Sequence, residues 1–198
     1  MSERGFSYTR LTQAELISGL RELVLRARRS GISGIRILIV GGAALQLGHF
    51  DRQLTYDIDA HLQPASELLE LARVIAAERG WAPDWLNDSA SQFIPGYGRT
   101  VEWVPILQAD DIEVAIAPHD VLLVMKLRAA RPGRDTEDIA RLMALNHIDS
   151  VDAASDLFAE FYPGDDLSDR AVAQVQKILE VGLPATSPKP TLPDIGTL

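Results

Sequence analysis

A chain of 198 residues, 46% hydrophobic and 24% charged, has the makeup of one globular domain, or of one domain with a small helical extension. Its longest apolar runs, residues 37–40 and 121–125, are too short to span a bilayer, and the segment around Glu3 and Arg4 does not read as a signal peptide. No membrane partner is therefore expected, and the cytoplasm is the default location. A net charge of −9 argues against indiscriminate binding along nucleic acid, and the lack of cysteine excludes disulfides and thiolate metal sites. The charge is uneven: residues 1–36 carry seven arginines against Glu3, Glu15 and Glu22, a local balance of +4 that reads as a solvated helix face or as a patch for a polyanion or acidic partner.

In chain order, Thr12-Gln13-Ala14-Glu15 has the form of a capping box, and Leu16, Leu20, Leu23 and Ala27 continue it as an apolar helical stripe closed by Gly31 and Gly34. Residues 35–40 read as a buried strand, 42–47 as a short helix and 48–53 as a loop. Residues 54–62 alternate as a strand, with Tyr56, Ile58 and Ala60 opposite Thr55, Asp57 and Asp59. Pro64 opens a helix that Gly80 ends. Residues 81–88 suggest a turn and a short helix, 95–98 a loop, and 101–107 and 112–117 two strands. A strongly apolar helix runs from Pro118 to about Arg131, followed by a tight Pro132-Gly133 turn. Further helices are predicted over 135–146, 152–162 and 168–181, and four prolines between 184 and 193 predict a disordered tail. The expected fold is α+β: a small mixed β-sheet core with flanking helices over 1–117, a C-terminal helical bundle over 118–183, and a tail over 184–198.

The candidate site centres on Asp57-Ile58-Asp59. Alternation sends both carboxylates to one side of a sheet, where they could share one or two divalent metal ions, and hard oxygen donors of this kind select Mg²⁺ or Mn²⁺. With 17 aspartates in the chain, about one Asp-x-Asp pair arises by chance, so the setting matters more than the pair. The glycines Gly41-Gly42 end the preceding strand and open a short helix, which can offer backbone N–H groups to a phosphate. Together these are the parts that phosphoryl or nucleotidyl transfer uses. A third carboxylate should come from a neighbouring strand; Glu113 points to the matching face, and Glu102 could serve equally. No Walker A loop, Gly-x-Gly-x-x-Gly motif or Gly-x-Ser-x-Gly elbow is present, and the histidines at 49, 61, 119 and 147 lack ligand spacing for zinc. Lys126 is the only lysine before position 177 in a chain with 16 arginines, and its apolar neighbours demand a phosphate or carboxylate partner unless its stem reaches water. Asp135 is a candidate N-cap, and Asp138 can approach Lys126 if the two helices form a hairpin.

The glycine pair, the Arg52…Thr55…Asp57-Ile58-Asp59 stretch and a later lysine helix followed by an Arg-Asp-rich turn resemble the AbiEii/MenT-type nucleotidyltransferases, toxin-like members of the DNA polymerase β superfamily found in bacterial toxin–antitoxin and phage-defence systems. Within that group the chain looks most like a branch that also carries a Trp-Leu-Asn-Asp stretch, here residues 85–88. The resemblance covers about residues 35–145. It implies Asp57 and Asp59 as Mg²⁺ ligands, Gly41 and Gly42 as the phosphate turn with Arg52 and Thr55 as further nucleotide contacts, and Lys126 and Asp138 as the remaining catalytic pair. The chain departs from the pattern in carrying Ala43 where a hydroxyl residue often follows the glycines, and in its longer Arg52–Thr55 spacing.

The expected reaction is Mg²⁺-dependent transfer of a nucleoside monophosphate from an NTP to an acceptor hydroxyl. By the resemblance the acceptor is the tRNA 3′ end and a cognate antitoxin is the partner. Alternative readings are a nucleotide-binding regulator without turnover, or a nucleotidyltransferase acting on a small molecule of the antibiotic type.

Overall fold

Thr12 caps the first helix as its sequence predicts: its hydroxyl accepts from the Glu15 N–H at 3.3 Å while the Glu15 carboxylate takes the Thr12 N–H at 2.8 Å. The computed structural model describes residues 10–50, 54–131, 133–186, 191–193 and 195. The chain divides into two compact units, one of Met1–Ser91, Val104–Ile116 and Lys189–Leu198, the other of Gln92–Trp103 and Ala117–Pro188.

The first unit contains helix α1 (Gln13–Arg29), strand β1 (Ile35–Val40), helix α2 (Gly41–Gly48), strand β2 (Ile58–Gln63), helix α3 (Ala65–Arg79), the two-residue strand β3 (Leu86–Asn87) and strands β4 (Val104–Ala109) and β5 (Ile112–Ile116). The sheet is mixed, in the order β3-β2-β1-β5-β4, with β1 antiparallel to β2 and parallel to β5. One face is wholly apolar: Ile35, Ile37 and Ile39 of β1 lie beside Ile58, Ala60 and Leu62 of β2 and Ile112, Val114 and Ile116 of β5, all buried. At about 25 cal/mol per Å² this buried face is the main force that sets strand register, because a one-residue slip would exchange it for Asp59, His61 and Gln63.

Three sequence expectations change here. Strand β2 begins at Ile58 rather than at 54, because Thr55 instead pairs its backbone with Leu11 in an isolated antiparallel bridge, with N···O distances of 2.6 and 3.1 Å. The helix expected within 81–88 is strand β3, parallel to β2. The cause is Trp85, which is fully buried, donates its indole N–H to the Ala72 carbonyl at 2.8 Å and accepts the Ile58 N–H on its own carbonyl at 2.6 Å. That anchor draws the following residues into the sheet. The tail expected to be disordered also contributes to the core: Ile195 is buried, its N–H donates to the Ile106 carbonyl at 3.3 Å and its carbonyl accepts from the Arg21 guanidinium. Residues 182–186 have no helix or strand.

The second unit contains helices α4 (His119–Ala129), α5 (Thr136–Leu145), α6 (Val151–Phe161) and α7 (Asp169–Val181). Helix α4 packs on α5 and α6, and α7 packs on the same two. Ser150 and Ser168 cap α6 and α7 through their hydroxyls. Helix α4 stops at Ala129 because Ala130 turns left-handed, with φ 41°; Gly133 has the positive φ expected of it, 77°, while Pro132 lies outside the described residues. No described helix is long and apolar enough to cross a membrane.

Helix α1 meets the tryptophans through Gly19, where an added Cβ would come within 2.8 Å of Trp81 and 2.9 Å of Trp85. Gly19→Val should therefore destabilise the first unit by about 1–3 kcal/mol through overpacking, more than its small gain in helix propensity offsets. Denaturation followed by tryptophan fluorescence checks this; an unchanged midpoint would contradict the packing.

Candidate active site

The β1–β2 register sets the first half of the site. Asp59 lies directly opposite Val40, the last residue of β1, so its side chain leaves the sheet beside the start of α2. The chain can turn there only because residue 41 is glycine. Gly41 has φ 65°, and a Cβ at that position would sit 3.1 Å from Asp59 Oδ2. The N-cap residue of α2, Val40, makes no side-chain cap hydrogen bond, and a helix's first-turn N–H groups have no earlier carbonyl within the helix to meet. Carboxylate and helix N-terminus thus share one corner, with Gly42 in the first turn of α2. The α2 dipole favours negative charge at that corner.

Asp57 immediately precedes β2 and, like Asp59, is half-buried. Its Oδ2 accepts a hydrogen bond from the Asn87 amide at 3.3 Å, and its carbonyl accepts one from the Thr55 hydroxyl at 3.4 Å. Thr55 is itself buried, so this bond ties the Asp57 backbone to a fixed side chain. Arg52 lies outside the described residues. Asn87 is level with Asp59 on the adjacent strand; the sequence marks it only as part of the Trp-Leu-Asn-Asp stretch, without a role in the site. The available sequence signal is Asn87-Asp88-Ser89, in which the Asn side chain accepts the N–H two residues on, here at 3.0 Å.

Glu113 is not brought to this corner. It shares the sheet face of Asp59, but it is level with Arg36, which donates to it at 2.8 Å, whereas Asp59 is level with Val40. Four residues of strand separate those levels, about 13 Å. The correction is physical: alternation fixes the face of a side chain, but only register fixes its height along the strand. Glu102 is exposed and outside any strand. Among the described residues no cluster of three or more His, Asp or Glu side chains could hold a metal ion. Two carboxylates of hard oxygen still fit Mg²⁺, which commonly takes one or two protein carboxylates and completes its shell with water and substrate phosphate.

In the second unit the sequence's Lys126–Asp138 pairing is present and is larger than expected. Lys126 Nζ, nearly buried, sits 2.9 Å from Asp138 Oδ2 and 2.8 Å from Asp135 Oδ1, and Asp135 also accepts from Arg131 Nε at 2.7 Å. Asp135 does occupy the N-cap position of α5, but its carboxylate makes no cap bond. Burial pushes the Asp135 carboxyl up; the hydrogen bond and charge of Lys126, with those of Arg131, outweigh this and hold it below its usual range. Its ionised form therefore adds stability above the unfolded carboxyl value, about 4, and that stability is lost as pH falls through the lower folded value.

Two substitutions test these geometries. Gly41→Ala should cost about 1–3 kcal/mol from the left-handed backbone alone, and should also push the Asp59 carboxylate aside; urea denaturation checks the first effect. Lys126→Met removes the cation that Asp135 and Asp138 share, leaving Asp135 its Arg131 contact, and should destabilise the second unit by about 3–5 kcal/mol at pH 7, with a smaller loss on going to pH 3 than the parent chain shows. Equal acid sensitivity in both chains would contradict the assigned pair.

Comparison with known proteins adds the family. Residues 16–166 match the model of a family described as nucleotidyltransferases of unknown function (DUF6036). No protein of curated function and no solved structure matches the chain. The matched span includes the glycine turn, both aspartates of the sheet corner and the Lys126 cluster. The chain belongs to this nucleotidyltransferase family, and is accordingly an enzyme with an NTP as substrate.

Proposed function

We propose that the protein transfers a nucleoside monophosphate from an NTP to an acceptor hydroxyl at the corner formed by Asp57, Asp59 and the N-terminus of α2, with Mg²⁺ or Mn²⁺ as cofactor. The observation that carries this reading is the approach of the Asp59 carboxylate to a left-handed Gly41 at an uncapped helix start. Asp57 and Asp59 would hold the divalent ion. When bound, that ion supplies neutralisation of phosphate charge and a lowered pKa for the acceptor hydroxyl. The first-turn N–H groups of α2 would take non-bridging phosphate oxygens, and the missing side chain at Gly41 lets them approach. The acceptor oxygen attacks the α-phosphorus, the bond from that phosphorus to the bridging oxygen breaks, pyrophosphate leaves, and the acceptor proton passes to solvent. Positioning and charge stabilisation would carry most of the rate.

The resemblance implies Lys126 and Asp138 as a catalytic pair. Their charges meet one another and Asp135, so their proposed contribution is to fix α4 against α5.

For the acceptor we favour the tRNA 3′ end, within a toxin-like role opposed by a cognate antitoxin. The resemblance to AbiEii/MenT-type enzymes supports it, as do the exposed arginines Arg28 and Arg29 at the end of α1, which give an otherwise acidic chain a surface for a polyanion. Purified protein incubated with each α-labelled NTP, Mg²⁺ and total RNA should label a tRNA-sized band. Asp57→Asn and Asp59→Asn should each lower that labelling by about 10³-fold, corresponding to several kcal/mol of lost transition-state stabilisation. Labelling that survives both substitutions would refute the site, whereas labelled small molecules with unlabelled RNA would move the acceptor to the antibiotic-type class.

A further inference from the structure

Strand β3 is only two residues long, and its second residue carries the hydrogen bond that reaches Asp57. Leu86 is buried and level with Ile58, so Asn87 is level with Asp59 and shares its face of the sheet. Both ends of the Asn87 amide are assigned by their partners. Its oxygen accepts the Ser89 N–H at 3.0 Å, which only an oxygen can do, leaving the NH₂ to donate to Asp57 Oδ2 at 3.3 Å. The strand does not depend on that amide for its place. Trp85, with its indole bonded to Ala72 and its carbonyl to Ile58, and buried Leu86 hold β3 on the sheet.

Asp57 and Asp59 are fixed by different means. Asp59 sits inside the ladder and against Gly41. Asp57 stands one residue outside the strand, so β2 pairing does not set its side-chain torsions. We infer that Asn87 is a positioning residue of the site: its amide clamps one oxygen of Asp57 so that the carboxylate keeps the orientation in which, with Asp59, it can take a divalent cation. This rests on the metal-site reading above and deepens it. An amide suits the task because it donates without bringing charge. A lysine or arginine there would neutralise Asp57, and an acid would face it with a second anion. Outer hydrogen bonds of this kind typically change metal affinity 10–100-fold when removed.

The test uses the whole 198-residue chain with Mn²⁺ alone as the probe. Bound Mn²⁺ is measured from the loss of the free-ion electron paramagnetic resonance signal, and thermal unfolding is followed in EDTA and in Mn²⁺. The parent chain should bind, Asp57→Asn should lose binding, and Asn87→Ala should bind about 10–100-fold more weakly while unfolding in EDTA at nearly the parent temperature. If Asn87→Ala binds as the parent does while Asp57→Asn does not, the positioning role is overturned and the metal site stands. A parent chain that binds no Mn²⁺ overturns the metal site, and the positioning role with it. Asn87→Asp keeps the question answerable should the alanine variant fold poorly. Its added carboxylate opposite Asp57 should lower stability in EDTA and make the stabilisation by Mn²⁺ larger than in the parent chain. A gain from Mn²⁺ no larger than the parent's would count against the inference.

Discussion

The pairing of Val40 with Asp59 across two antiparallel strands is the constraint from which the proposed chemistry follows. It is set by burial on the opposite face, where isoleucines of β1 and β5 and the apolar half of β2 leave no alternative register. Given that register, Asp59 meets the first residue of α2, and only a glycine can both turn left-handed there and leave room for the carboxylate. A hydrophobic constraint on one side of the sheet thereby fixes an electrostatic arrangement on the other. The acidic side chain and the helix N-terminus attract opposite parts of the same ligand, a cation and the phosphates that accompany it.

The second unit settles a buried charge within itself. Lys126 lies among apolar neighbours on α4, where an unpaired ammonium would be costly, and α5 answers with two carboxylates. Arg131 adds a further donor to Asp135, so the cluster has two cations and two anions around one turn. Such an arrangement specifies how α4 and α5 meet more sharply than apolar contact alone would.

Much of the first unit was legible in the sequence because its signals are periodic or local. The capping box at Thr12, the apolar stripe of α1, the alternation through Ile58 and Asp59 and the glycine after Val40 each depend on neighbours a few residues apart. Asn87 was not legible in the same way. A strand of two residues has no period to detect, and the tryptophan that draws it into the sheet acts through a carbonyl on α3, 13 residues earlier. Glu113 failed for the complementary reason: its face could be read, but its height along the sheet depends on pairing with β1. The proline-rich tail pointed to disorder by composition, and one buried isoleucine at its far end, Ile195, is invisible to composition. Asp135 was placed correctly at a helix start, yet its carboxylate serves a lysine nine residues back rather than the helix itself.

The most direct measurement is a crystal structure of the chain with Mn²⁺ and a non-hydrolysable NTP, read from the anomalous signal of the metal. The proposed site predicts a peak about 2.0–2.2 Å from oxygens of Asp57 and Asp59, with phosphate oxygens at the first turn of α2. A nucleotide bound elsewhere, or a metal peak that neither aspartate touches, would contradict it.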